Sequence, residues 1–132
     1  MSARAPVTVV VPAFNAAEFL AITLQSLQQQ TTPPEQIVVV DDGSTDQTVA
    51  IAEQFGATRL RQDHAGPGAA RNRGLKAATS EYVAFLDADD WYGPDKLERS
   101  VEHLQQLDAA CLATDAWVVR GQRVERRKND RR

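Results

Sequence analysis

Asp87 and Asp89 stand one residue apart, directly after the apolar run Tyr82–Leu86. On an extended segment two such carboxylates point the same way and can share a hard cation, Mg2+ or Mn2+, whose remaining coordination sites accept water or phosphate oxygens. The same acids could simply cap a turn toward Pro94, so the pair has to be weighed with its neighbours. Asp41 and Asp42, followed by Gly43, Ser44, Thr45 and Asp46, close a second apolar run, Ile37–Val40. An acid at a strand end can accept a hydrogen bond from a ribose hydroxyl or a base N–H. Gly66, Pro67 and Gly68 precede a helical pattern, where free backbone N–H groups favour an anion. Arg71 and Arg73 on that pattern could reach phosphate oxygens. Trp91 and Tyr92 could stack against a sugar but are read as hydrophobic cover, and His64 and His103 as surface residues.

These residues need elements to position them, and the chain alternates short β-branched runs with helical patterns, the mark of parallel βαβ units. Val7–Val11 predicts a strand ended by Pro12, and Asn15 three residues before Glu18 predicts a capped helix carrying Leu20, Leu24 and Leu27. Ile37–Val40 predicts the second strand, with Ser44 and Asp46 as N-caps of a helix through Ile51 and Phe55 that Gly56 closes. Thr58–Gln62 predicts a third strand, and an Ala-rich helix runs to about Ala78. Tyr82–Leu86 is the fourth strand, and a helix bearing Leu97, Val101 and Leu104 follows Pro94. A last strand spans Cys111–Val119, before a turn at Gly121. In an open parallel sheet the ligand crevice lies beyond the carboxyl ends of the strands. Pro12–Asn15, Asp41–Asp46, His64–Arg71 and Asp87–Asp90 therefore gather at one sheet edge.

The 132 residues, 42% of them hydrophobic, suffice for a single domain, 1–132, and no linker or repeat divides it. A net charge of −3 with no basic stripe interleaved with aromatic residues argues against a nucleic-acid partner. Arg120–Arg132 holds seven Lys or Arg against two acids, so 119–132 is expected to be a basic, partly mobile tail. A single cysteine, Cys111, excludes an internal disulfide. The N-terminus lacks a signal-peptide core, and no run approaches the ~20 apolar residues that span a bilayer. Cytoplasm is the expected location, with the inner face of the membrane as an alternative.

The stretches VTVVVPAFNAAEFLAITLQSLQQQT, IVVVDDGSTDQT and HAGPGAARNRGLKAATSEYVAFLDADD, then PDKLE, resemble in order and spacing the N-terminal part of family 2 glycosyltransferases. The resemblance covers about Val7 to Asp115. It implies an α/β, Rossmann-like GT-A fold of three layers with a mainly parallel sheet, truncated here. It also implies a nucleoside-diphosphate sugar as donor, an unknown sugar, lipid-linked or polysaccharide acceptor, and inversion at the anomeric carbon. Carried over by position, Pro12, Ala13 and Phe14, with Asn15 beside them, line the nucleoside pocket. Asp41 or Asp42 binds base or ribose, Arg71 serves the donor, Asp87 and Ala88 approach the ribose, and Asp89 with Asp87 holds a divalent metal. The family places its general base further on, past Arg132, and Asp115 is a poor substitute. A later family strand pairs beside Tyr82–Leu86, so self-association, or recruitment of Cys111–Val119, is expected to cover that sheet edge.

Two rival readings differ in class. A phospho-receiver domain also joins a strand-end acidic pair to a later Asp, but its pair ends the first strand, whereas a full strand and helix precede Asp41. A non-catalytic nucleotide-binding module fits the same motifs without a base.

Overall fold

The computed structural model describes residues 3–114 and the backbone of 116–120 and 123–127. Asp115 and Gly121, weighed above, lie outside the described residues. Contacts divide the chain into two compact units, Met1–Val101 and Glu102–Arg132.

The first unit is a parallel sheet between two helical layers. Its strands are β1 (Ala5–Ala13), β2 (Pro34–Asp41), β3 (Thr58–Arg61) and β4 (Tyr82–Phe85), in the order β3-β2-β1-β4. Its helices are α1 (Leu20–Gln28), α2 (Thr48–Gln54) and α3 (Pro67–Ala77), and α4 (Lys96–Leu107) starts in it. The central strands are valine-rich because helices cover both of their faces. Val9, Val11, Ala13 and Val39 pack with Leu20, Leu24, Leu27, Ala52 and Leu97 on one side. Val10, Val38 and Val40 pack with Ala70 on the other. The period of two that sends Val39 to one layer and Val40 to the other also sends Asp41 and Asp42 to opposite faces.

Chain order steps from β1 through β2 to β3 and then returns to the far side of β1 for β4, which makes the gap between β1 and β4 the switch point. Pro12 fits in this central strand for a local reason. Val10 O accepts the Leu86 N–H at 3.0 Å, and Pro12, two residues on, turns its donorless nitrogen to that same side, where β4 has ended.

Strand and helix types match the sequence reading, but two parts of it are corrected. Asn15 does not cap α1. It sits at φ 46° and the helix begins five residues later at Leu20, after a turn in which Ala16 O accepts the N–H groups of Phe19 and Leu20. The expected strand Cys111–Val119 begins only at Ala116, as β5 (Ala116–Arg120), and pairs antiparallel with β6 (Arg123–Arg127) in a two-stranded sheet of the second unit. A strand therefore occupies part of the expected tail, and β5 is not recruited to β4, which stays an edge of the four-stranded sheet.

Candidate functional site

Three loops at the carboxyl end of the sheet are tied together by polar side chains. Asn15 Oδ1 accepts the Thr45 N–H at 2.9 Å, and its own N–H donates to Ser44 Oγ at 2.9 Å. Asp46 accepts the Ala17 N–H at 3.1 Å and, at the mouth of α2, the N–H and hydroxyl of Thr48. It thus closes a turn just ahead of α2, whose N-cap is Gln47 and not Ser44 or Asp46 as expected, while bridging back to the β1 loop, and the Thr48 hydroxyl bond leads the hydrogen bonds that hold its carboxyl below the usual range.

Asp41 and Asp42 part company. Asp41 Oδ1 accepts the Ser44 N–H at 3.2 Å, while its buried Oδ2 has no hydrogen-bond partner among the described residues. Arg61 Nε stands 3.7 Å from that oxygen, at a cleft of about 260 Å³ lined also by Val49, Ala52 and Arg59. Asp42, on the other side, gathers the loop ahead of α3. Its carboxylate accepts Gln62 Nε2 at 2.9 Å, the Ala65 N–H at 2.8 Å and the Gly66 N–H at 3.0 Å, with His64 Nδ1 3.0 Å from Oδ2. The Gln62 bond is the largest cause that keeps this carboxyl low, ahead of the opposing effect of burial. An anion does therefore stand at the N-terminus of α3, and it is the Asp42 carboxylate, bound to the Ala65 and Gly66 N–H groups.

His64, passed over in the sequence, belongs to this cluster. Its ring lies 4.3 Å from that of Phe14 at 36°, so β1 and the loop after β3 present an aromatic pair above Asp42. Nothing local in the sequence marks it, because Phe14 and His64 meet only through the sheet.

The acidic segment forms a reverse turn and not an extended run: the Asp90 N–H donates to Asp87 O at 3.0 Å. The turn adds a third carboxylate, and oxygens of Asp87, Asp89 and Asp90 lie within 4.8 Å of one another. Burial first, then the charges of Asp89 and Asp87, raises the Asp90 carboxyl. Arg71, one turn into α3, reaches across to Asp87 Oδ1 at 2.9 Å. Ala88 contributes backbone, since its side chain is buried in the core and its carbonyl lies 3.0 Å from the Thr23 hydroxyl. Tyr92 donates its hydroxyl to Phe85 O at 2.9 Å, and burial, then Asp87 and Asp90, pushes that phenol up to about 12, so it stays a donor. Trp91, expected to be cover, is 56% exposed.

Three crowded carboxylates beside a guanidinium, at the switch point of a parallel sheet, make a place where a hard cation and a polyanion can meet. The sequence matches the Glycosyl transferase family 2 profile over residues 8–132. The chain belongs to glycosyl transferase family 2. It is 39% identical over 117 residues to the succinoglycan biosynthesis protein ExoO of Rhizobium meliloti, covering 86% of this chain and 34% of that protein. Residues 1–349 of Staphylococcus aureus TarS in complex with UDP superpose with a TM-score of 0.72 at 32% identity, over 80% of this chain and 32% of that one. The mannosyltransferase PcManGT of Pyrobaculum calidifontis, in complex with GDP-Man and Mn2+, gives 0.71 at 31% identity, over 76% of this chain and 32% of that one. The three-layer arrangement is thus the GT-A fold of family 2 glycosyltransferases. The chain spans 45%, 28% and 37% of the length of three further bacterial relatives.

Proposed function

We propose that residues 1–132 belong to one nucleotide-sugar-binding domain of a glycosyltransferase, which transfers a sugar with inversion from a nucleoside-diphosphate donor to an acceptor hydroxyl. The observation that carries this reading is the junction of the Asp87, Asp89 and Asp90 carboxylates with Arg71 at the switch point, beside the Phe14 and Asp42 loops. Solved relatives hold UDP, or GDP-Man with Mn2+.

Pro12, Ala13 and Phe14 form the wall of the nucleoside pocket, with Asn15 holding that wall to Ser44 and Thr45. Asp42 lies at its floor as the acceptor for a base or ribose donor, and Asp41 anchors the turn behind it. Asp87 and the Ala88 backbone border the ribose, and Asp89 with Asp87 holds the metal, Mn2+ or Mg2+. The residues fit such an ion, because they supply several oxygens within reach of one centre and excess negative charge to offset it. When bound, the metal acts as a Lewis acid that neutralises charge on the leaving diphosphate. Arg71 exchanges Asp87 for a phosphate oxygen, an equally good partner for a guanidinium.

The base that accepts the acceptor's proton is assigned to the part of the protein outside these elements, where the longer relatives have most of their length. The acceptor is a sugar, lipid-linked or polysaccharide hydroxyl. Among the described residues no helix is long and apolar enough to cross a membrane. We assign the protein to the cytoplasm or the inner membrane face, with self-association through the β4 edge.

Thermal-shift titration with UDP, GDP and TDP, each with Mn2+ and with chelator, tests the reading. A ligand at 100 times its dissociation constant adds about 2.7 kcal/mol to stability. A metal-dependent rise with one nucleotide is expected, and no such rise with any of them refutes donor binding. Because the chain spans a minority of its relatives' length, a binding module is the second reading, and nucleotide binding without transfer or hydrolysis of the donor favours it.

A further inference from the structure

Between β4 and α4 the chain from Leu86 to Asp95 has no regular structure, yet its backbone polar groups find partners along one helix. Thr23 and Gln30, polar residues of and just after α1, are only 1% and 4% exposed. The Thr23 hydroxyl donates to Asp90 O at 2.6 Å and lies 3.0 Å from Ala88 O. Ser26 Oγ accepts the Tyr92 N–H at 3.2 Å and donates to Thr23 O at 2.7 Å, linking the two positions. Gln30 Nε2 donates to Gly93 O at 2.6 Å while its Oε1 accepts the Leu97 N–H at 3.0 Å. The Thr31 N–H completes the row on Pro94 O at 2.7 Å.

These contacts answer a physical problem that the acidic turn poses. Three carboxylates within 4.8 Å repel one another, and a free turn relaxes by swinging them apart. Holding the carbonyls on both sides of Asp89, those of Ala88 and Asp90, fixes the backbone from which the acids project. We infer that Thr23, Ser26 and Gln30 are positioning residues, which act through the backbone of residues 88–97 to keep the Asp87, Asp89 and Asp90 oxygens converged for a divalent cation. The inference rests on the metal-diphosphate reading of that turn. It gives α1 a role beyond its buried leucine stripe: one edge builds the core, and the adjacent polar edge sets the site.

The test compares Thr23→Val, which keeps the branched shape and removes the hydroxyl, with Thr23→Ser, which restores it. Mn2+ affinity is measured by the paramagnetic resonance of free Mn2+, alongside UMP and GMP binding in chelator and the melting temperature of each variant. Partners that orient metal ligands typically contribute 10- to 100-fold in affinity, and action through the backbone places Thr23→Val at about the lower end, ~10-fold weaker for Mn2+. Metal-free nucleotide binding stays at the wild-type value, and Thr23→Ser recovers most of the loss. Mn2+ affinity within about 2-fold of wild type in folded Thr23→Val overturns the inference. Parallel loss of metal and metal-free nucleotide binding that Thr23→Ser does not restore also overturns it, since that marks a general structural role. Should Thr23→Val not fold, Ser26→Ala, which releases only the Tyr92 N–H and its own donor bond, carries the same comparison with the same outcomes. Wild-type protein that binds no Mn2+ refutes the metal reading itself, and this inference with it, before any variant is compared.

Discussion

Replacing Gly74 by alanine sets two known effects against each other. Gly74 lies inside α3, where alanine is favoured over glycine by about 1 kcal/mol, so helix propensity alone makes Gly74→Ala stabilising. The site has no room for the added methyl. A Cβ there stands 2.2 Å from Val10 Cγ1, 3.1 Å from Cγ2 and 3.2 Å from Cβ, against the ~3.5–4.0 Å at which carbon atoms rest. Val10 is fully buried in the central strand and cannot swing away, so α3 has to lift off the sheet. Overpacking of this kind typically costs about 1–3 kcal/mol, and a contact this short belongs at the upper end. The net expectation is about 2 kcal/mol of destabilisation, read as a lower urea midpoint at unchanged slope. The same geometry predicts that the cost disappears in a Val10→Ala background: both Cγ atoms are gone, only the tight 3.2 Å Cβ contact remains to offset helix propensity, and Gly74→Ala becomes about neutral, with a coupling of about 2 kcal/mol. Stabilisation in the wild-type background, or an equal effect in both, refutes this account of the α3 to β1 contact. Function follows the packing, because the lifted helix carries Arg71 away from Asp87, and donor affinity should fall in Gly74→Ala.

Asp89→Asn is expected to abolish the metal-dependent part of the nucleotide thermal shift while leaving any metal-free part, and an unchanged response moves the metal elsewhere. Arg71→Ala should weaken nucleoside diphosphate far more than nucleoside, measured by calorimetry; equal effects on both count against its phosphate role. Asp42 and Asp46 have lowered carboxyls, so the unfolded chain binds more protons than the native one in their titration range. Their stabilisation is complete above the ordinary carboxylate range and is lost as pH falls through and below it. Asp42→Asn should therefore flatten the acid limb of the stability curve measured by urea unfolding at each pH, and a limb of unchanged slope contradicts the role given to Asp42.

Much of this protein is legible in one dimension. Short continuous valine-rich runs and helical leucine spacing determine the strands and helices, and turn formers and acids at strand ends place Pro12–Asn15, Asp41–Asp46 and Asp87–Asp90 at one edge, because those signals are local. What the sequence could not decide depends on which strands lie side by side and which way a turn closes. Asn15 reads as a helix cap but ties β1 to the β2 loop, since its left-handed backbone turns it toward Ser44 and Thr45. Asp42 and Asp41 look equivalent until the alternation of β2 sends them to opposite faces. Asp90 joins the acidic pair only because the segment folds into a reverse turn. His64 enters the site only through Phe14 and Asp42, and Thr23 and Gln30, far from the acids in sequence, hold Asp90 O and Gly93 O only because the α1 segment packs beside that stretch of chain. Local patterning determined the elements and the chemistry at their ends, whereas the orientation and support of that chemistry arise from contacts between residues remote in the chain.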